Sequence, residues 1–134
     1  MTPTRYPGWR ILAILMGLLN AAAVYPATLV FLRVPTSWIT VHAEPADPSV
    51  RLTYFLSFLC FAALNAVGAL VSIRLPARGF LLFGAGNLAN ALLTAVLHLQ
   101  DLQALKQTAS LLVAGAGYTW LGFRQLEADR STPE

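Results

Sequence analysis

The sequence predicts an all-α integral membrane protein whose four transmembrane helices form an up-down bundle. Two observations lead to this fold class. Only 11% of the 134 residues are charged while 57% are hydrophobic, and the hydrophobic residues fall in four long blocks. A soluble domain has about a quarter of its residues charged, so these charges are too few to cover a water-facing surface. The blocks also lack the alternating polarity of an outer-membrane strand, which favours helices.

The four blocks cover residues 10–32, 52–73, 80–98 and 105–123 of a single predicted domain. Each is close to the ~20 residues that a helix needs to cross ~30 Å of hydrocarbon. Segment 33–51 contains three prolines, two acids and an arginine at each end, which predicts an outer loop. The polar segment 124–134 is predicted to be a short hydrated tail.

Basic residues at the block ends predict the orientation. The N-terminal segment, the turn "RLPAR" and the C-terminal tail share six arginines, whereas the other ends have three basic residues. Because positive charge favours the cytoplasmic side, both termini are expected in the cytoplasm. Eight of the nine basic residues are arginine, which fits a bacterial gene of high GC content. The expected location is therefore the inner (plasma) membrane of a bacterium.

A cleaved signal peptide is the alternative interpretation of residues 1–23. The segment "RILAILMGLLNAAA" has a basic start, a short apolar core and an Ala-x-Ala sequence, as signal peptides do. The hydrophobic run continues through "VYPATLVFL" to a full spanning length, which favours a retained first helix. Sequencing the N-terminus of the mature protein separates the two.

Polar residues recur inside the blocks at helical spacing and predict a polar layer between the helices. In the third block they follow one another at steps of three or four residues, so they share one face of the helix. The asparagines of the first three blocks also fall at similar depths, near the middle of the bilayer. The predicted layer consists of Asn20, Asn65, Asn87, Asn90, Thr94 and Tyr118.

Three roles fit this polar layer. Apolar surface gives helices no net drive to associate in lipid, so small residues and interhelical hydrogen bonds hold them together. A bridging amide contributes roughly 0.6 to 2 kcal/mol, whereas an unpaired amide is costly. The favoured interpretation is a lock that fixes the geometry of the bundle. A polar ligand site or permeation path is the first alternative, and contact with a partner protein is the second.

A metal site at the outer face is a further hypothesis. Imidazole and carboxylate groups that could bind a divalent cation gather there in the predicted topology: His42, Glu44, His98 and Asp101. No metal-ligand spacing such as His-x-x-x-His supports the site, and polar residues are ordinary at helix ends. No cofactor is therefore expected.

Two further features receive structural interpretations. The segment "GAGNLA" at 84–89 matches the dinucleotide fingerprint G-x-G-x-x-A, but that fingerprint needs a following strand that ends in an acid. Here the helix continues to a polar turn, so close helix packing is the expected reason for Gly84 and Gly86. Cys60, the only cysteine, lies inside a hydrophobic block, and a packed, inert thiol is expected.

The sequence contains no common catalytic signature. Gly-x-Ser-x-Gly, P-loop and His-Glu-x-x-His motifs are absent, and the basic residues sit singly, unlike a nucleic-acid footprint. In size and number of spans the chain resembles the small multidrug transporters, but the carboxylate of their first span has no counterpart here.

The expected function is that of a non-catalytic subunit or assembly partner in a membrane complex. Its partners would be the lipid bilayer and either a second copy of itself or another membrane protein. One alternative is a small oligomeric channel or transporter for a neutral or weakly charged solute. The other is a membrane enzyme or metal-binding protein that uses the outer histidines and acids.

Overall fold

The computed structural model describes residues 4–32, 48–97 and 102–131. They form four helices: α1 (Pro7–Phe31), α2 (Pro48–Arg74), α3 (Pro76–Leu97) and α4 (Leu102–Ser131). No β-strand occurs in these three ranges. The predicted all-α class is therefore confirmed, with one helix for each hydrophobic block.

All four helices begin earlier than the hydrophobic blocks predicted, and the first three begin at a proline. α1, α2 and α3 begin at Pro7, Pro48 and Pro76. The first helical position tolerates proline because its N–H would have no partner within the helix, and the fixed φ of the ring suits a helix start. Block boundaries based on hydropathy alone miss these polar first turns. Of the predicted outer loop 33–51, the last four residues thus belong to α2, and 33–47 lie outside the described residues.

The predicted tail is a second difference, because α4 continues to Ser131. Contacts one turn apart hold this extension. Arg124 forms an ion pair with Glu127 at 3.0 Å, and Gln125 Nε2 donates to Asp129 Oδ1 at 2.9 Å. Such i,i+3 and i,i+4 pairs stabilise a helix even where no hydrophobic block continues.

Three of the helices are long and apolar enough to cross a membrane: Pro7–Phe31, Arg51–Arg74 and Pro76–Val96. Within its described residues, α4 does not reach that apolarity. Lys106 and Gln107 lie near its start and Arg124 and Gln125 near its end, and small and hydroxyl residues are frequent between them. The block 105–123 that the sequence predicted as a fourth span is therefore the least apolar of the four.

The helices lie in space in the order of the chain. α2 packs against α1 and α3, and α3 packs against α4, whereas α1 touches α3 only slightly. Between the described parts of α1 and α4 no Cα pair comes within 8 Å. Leu75 alone separates α2 from α3, and backbone hydrogen bonds continue through it, from Leu75 N to Val71 O and from Gly79 N to Leu75 O.

Glycines allow the closest helix contacts. A Cβ atom on Gly84 would clash with the Thr119 side chain of α4 and lie 2.9 Å from Gly115 O. A Cβ atom on Gly86 would lie 3.0 Å from Leu64 Cβ of α2. The packing interpretation of these two glycines is confirmed: one permits the α3–α4 approach and the other the α2–α3 approach.

The outer surface of the helices is strongly apolar. Within α1 only Ala13 and Gly17 are buried, while Leu19 is 63% exposed, and in α4 Val113 is 75% exposed. Water-facing helices rarely carry such continuous apolar surface. Cys60 is exposed on this surface too, so the prediction of a packed thiol is wrong. Hydropathy places a residue in a hydrophobic block but does not determine which way its side chain faces.

Candidate functional site

A cleft of about 700 Å³ lies between α1 and α4, where the row of helices is not closed. α2 and α3 contribute side chains to its floor. Four residues of the predicted polar layer belong to its lining. Its described lining residues include none that is charged: Trp9, Leu12, Met16, Asn20, Phe58, Phe61, Phe83, Asn87, Asn90, Gln107, Leu111, Val113, Ala114, Gly117, Tyr118, Trp120 and Leu121.

Two asparagines of the predicted layer, Asn65 and Asn87, form a sealed pair. They are 0% and 5% exposed. Asn87 Nδ2 donates to Asn65 Oδ1 at 3.0 Å and to Phe83 O at 2.8 Å. Asn65 Nδ2 in turn donates to Phe61 O at 2.9 Å. Both amide hydrogens of Asn87 are therefore engaged, one by α2 and one by its own helix.

The other two asparagines, Asn20 and Asn90, form an open pair. Both are half-buried and line the cleft, one from α1 and the other from α3. Among the described residues, no hydrogen bond joins either amide to another group. Gln107 of α4 also lines the cleft but is exposed. The cleft thus presents uncharged donors and acceptors from three helices.

One end of the cleft is closed by the N-terminal segment. Tyr118 is buried and its hydroxyl donates to Trp9 O at 3.1 Å, while its ring meets the Trp9 ring edge-on at 6.1 Å. Beyond this contact, Gln125 Oε1 accepts from Arg5 N at 3.0 Å and from Thr4 Oγ1 at 3.4 Å. Gln125 is only 1% exposed. We call this the terminal end, because both described chain ends meet there.

Aromatic rings form much of the remaining lining. The Phe83 and Tyr118 rings lie 4.6 Å apart, and Phe80 packs against Tyr118 from the far side at 5.8 Å. Tyr118, Phe80 and Phe83 belong to the buried core cluster, so the floor of the cleft is a fixed surface. Such a floor offers ring faces and edges to an apolar molecule.

A smaller groove of about 340 Å³ lies between α2 and α3. Cys60 and Ser57 line it, but Ser57 Oγ donates to Thr53 O at 2.6 Å within its own helix. Phe61 and Asn90 line both spaces, so they form the wall between the groove and the cleft.

Four residues of the predicted layer line the cleft: Asn20, Asn87, Asn90 and Tyr118. Asn65 is buried and accepts a hydrogen bond from Asn87. Thr94 is half-buried and lies one turn beyond Asn90, outside the cleft lining. The closure by Gln125 and Trp9 was not predicted, because both lie outside the predicted spans.

The proposed metal ligands are not part of this geometry. His42, Glu44, His98 and Asp101 lie outside the described residues. In the part of the chain that the structure describes, no three potential metal-ligating side chains come together. The cleft itself contains no carboxylate, imidazole, thiol or cationic side chain among its described lining. The described lining offers hydrogen bonds and apolar contacts.

Comparison of the chain with protein-family models, curated proteins and solved structures gives no match.

Proposed function

We propose that this chain is a small multi-pass membrane protein that binds a neutral solute in the cleft, as a transporter or channel for such a solute. One observation carries the proposal: the amides of Asn20 and Asn90 face a cavity without a hydrogen-bond partner among the described residues. Both residues are half-buried, and their amides can donate to and accept from a molecule bound in the cleft. A volume of about 700 Å³ is also typical of small-molecule pockets.

The proposed setting is the inner membrane of a bacterium, with four spans in an up-down bundle and both termini in the cytoplasm. Three helices of sufficient length and apolarity support it. Gly17 of α1 lies against Ala69 of α2, and Phe31 of α1 stacks on Phe55 of α2 at 4.4 Å. These two contacts support an antiparallel arrangement of α1 and α2. The contacts between α2 and α3 and between α3 and α4 support an antiparallel arrangement in the same way. Reporter fusions to each terminus test the orientation.

α4 is the proposed fourth span although its own apolarity is low. Its glycines keep it close to α3 over several turns: Gly115 lies against Leu88 and Gly122 against Leu81. A helix that is marginally apolar is stabilised in lipid when its polar and small residues pack against a neighbour.

A second candidate function is the assembly partner expected from the sequence, and the exposed face of α4 favours it. Ala109, Ser110 and Ala116 are exposed and lie outside the cleft lining. Small residues on a membrane helix permit close approach of another helix, and a weakly apolar helix gains by such burial. The substitution Ala116→Phe should block this contact and shift the native mass of the extracted particle to that of a single chain.

The solute-binding proposal is tested by isolating the protein in native lipid with a copolymer and identifying the small molecules that remain bound. The decisive variant is Gly117→Phe, because Gly117 lines the cleft and a Cβ atom there meets nothing within 4 Å. The matched control is Gly8→Phe, since Gly8 has equally open space but does not line the cleft.

We expect a small molecule to accompany the wild type and Gly8→Phe, and to be depleted about tenfold or more in Gly117→Phe. If no bound molecule distinguishes the two variants, the solute-binding proposal is wrong. Loss of a partner protein in Ala116→Phe, with no such molecule present, would establish the second candidate instead.

A further inference from the structure

We propose that the cleft takes a neutral amphiphile, with an uncharged hydrogen-bonding head and an apolar body, and that this molecule enters sideways from the bilayer between α1 and α4. This inference rests on the proposed function and names its ligand class and its route of entry. It is distinct from binding of a water-soluble solute that would enter along the axis of the bundle.

The head group follows from the polar lining. Asn20, Asn90 and Gln107 can each donate and accept, which suits a carbonyl, hydroxyl or ether oxygen. An anionic head would need a cationic side chain, and the described lining has none. Burying an unpaired anion costs far more than burying a neutral polar group, so an anionic ligand is disfavoured.

The body follows from the aromatic lining. Phe58 and Phe61 of α2 approach the cleft from one side, and Trp120 of α4 from another. Each ring offers a large apolar face, and ring pairs prefer offset or edge-on contact. A ligand with a flat ring system or a short apolar chain would therefore be held by contact area, while the amides determine which end carries the head.

The route follows from the two boundaries of the cleft. At the terminal end, the Tyr118–Trp9 hydrogen bond and the Gln125 contacts close the space. Along its length, α1 and α4 do not approach within 8 Å between Cα atoms in their described parts. Met16 and Val113, which stand on the two rims, are both exposed. The opening is therefore lateral and faces the surface that the proposed membrane setting gives to lipid.

A continuous helix from another chain does not fit this space as well as a small molecule does. A partner helix would need a groove open along the full height of the bundle, and the closure by Trp9 and Tyr118 blocks one end of it. A molecule of small-ligand size occupies about 700 Å³ without disturbing that closure.

The test uses a neutral naphthalene ketone, 6-propionyl-2-(dimethylamino)naphthalene, with the full chain in phosphatidylcholine nanodiscs. Trp9 and Trp120 line the cleft, so energy transfer from tryptophan to the probe reports its arrival. We expect saturable transfer that empty nanodiscs with added free tryptophan do not give. The apparent affinity should fall about tenfold or more in Gly117→Phe and stay within about twofold in Gly8→Phe. In Asn90→Leu it should fall about fivefold through loss of one hydrogen bond.

An analogue of the probe that carries a sulfonate group supplies the second arm. It should bind about tenfold more weakly than the ketone or show no saturable transfer. Equal affinity of the two probes, or transfer that is non-saturable and identical in wild type and Gly117→Phe, overturns the proposal. If a hydrophilic molecule is the one that co-purifies in native lipid, the solute-binding function stands and the ligand class proposed here is wrong.

Folding of the bulky variant is controlled by blocking the cleft after assembly. In a Cys60→Ser background, the thiol introduced by Gly117→Cys is treated with N-ethylmaleimide in the folded protein. The maleimide adduct should bind the probe about tenfold or more weakly than the same variant before treatment. Bound probe should also slow the labelling about fivefold or more, because it covers the thiol. Labelling at the same rate with and without probe contradicts a site in the cleft.

Discussion

The same amide chemistry has opposite surroundings in two regions of the molecule. Between α2 and α3, Asn65 and Asn87 bond to each other and are buried. Between α1 and α4, Asn20 and Asn90 face a cavity, and no described residue bonds to their amides. The role of an asparagine in a hydrophobic helix is thus determined by how closely the neighbouring helix approaches. Where helices meet, the amide is structural, and where they diverge, it is available to a ligand.

Glycine explains why the two regions differ. In the closed region between α2 and α3, a side chain on Gly68 or Gly79 would collide with the facing helix. In the cleft, a Cβ atom added to Gly117 would have no neighbouring atom within 4 Å. A glycine of the first kind determines the distance between helices, while one of the second kind leaves space free. The predictions below compare the two regions directly.

The largest expected effect comes from placing the same side chain in each region. Gly79→Leu should lower the free energy of unfolding by about 3 kcal/mol, because it overpacks the α2–α3 contact. Gly117→Leu should change it by less than about 1 kcal/mol, since the space is open and leucine favours a helix more than glycine does. Denaturation in mixed detergent micelles measures both. Equal losses of unfolding free energy in the two variants would mean that the cleft is closed in the folded protein.

The next effect separates the two asparagine pairs. Asn65→Leu removes the acceptor for Asn87 and leaves a buried donor unpaired, which should cost about 1 to 3 kcal/mol. Asn90→Leu breaks no intramolecular hydrogen bond and should change the stability by less than about 0.5 kcal/mol. A double-mutant cycle over Asn65 and Asn87 should give a coupling of roughly 0.6 to 2 kcal/mol. Absence of coupling would contradict the sealed pair.

The smallest effect concerns the closure at the terminal end. Tyr118→Phe removes one hydrogen bond to Trp9 O, which should cost about 1 kcal/mol. Amide hydrogen exchange in the first turns of α1 should then become about fivefold faster, while α2 and α3 keep their protection. Exchange that rises equally in all helices would show that Tyr118 supports the whole fold and not the closure alone.

The sequence was sufficient to predict the helices but not to predict which face of each helix contacts its neighbours. Blocks of hydrophobic residues predicted the four helices, and spacing predicted that glycines 84 and 86 serve packing. The predicted depth of the asparagines in the bilayer could not show that Asn65 meets Asn87 while Asn20 faces a cleft. That difference depends on which faces of the helices come together. Cys60 was misplaced for the same reason. Gln125 lay beyond the predicted span, so its contact with the N-terminal segment had no signal in the hydropathy pattern.

The single residue between α2 and α3 has a consequence for biogenesis. With only Leu75 to separate them, these two helices form a hairpin whose contacts lie close together along the chain, so they can pair early during synthesis. In the proposed membrane setting, α4 emerges last and is the least apolar helix, and it then finds the glycine surface of α3 already in place. Its entry would depend on docking to protein more than on partitioning into lipid.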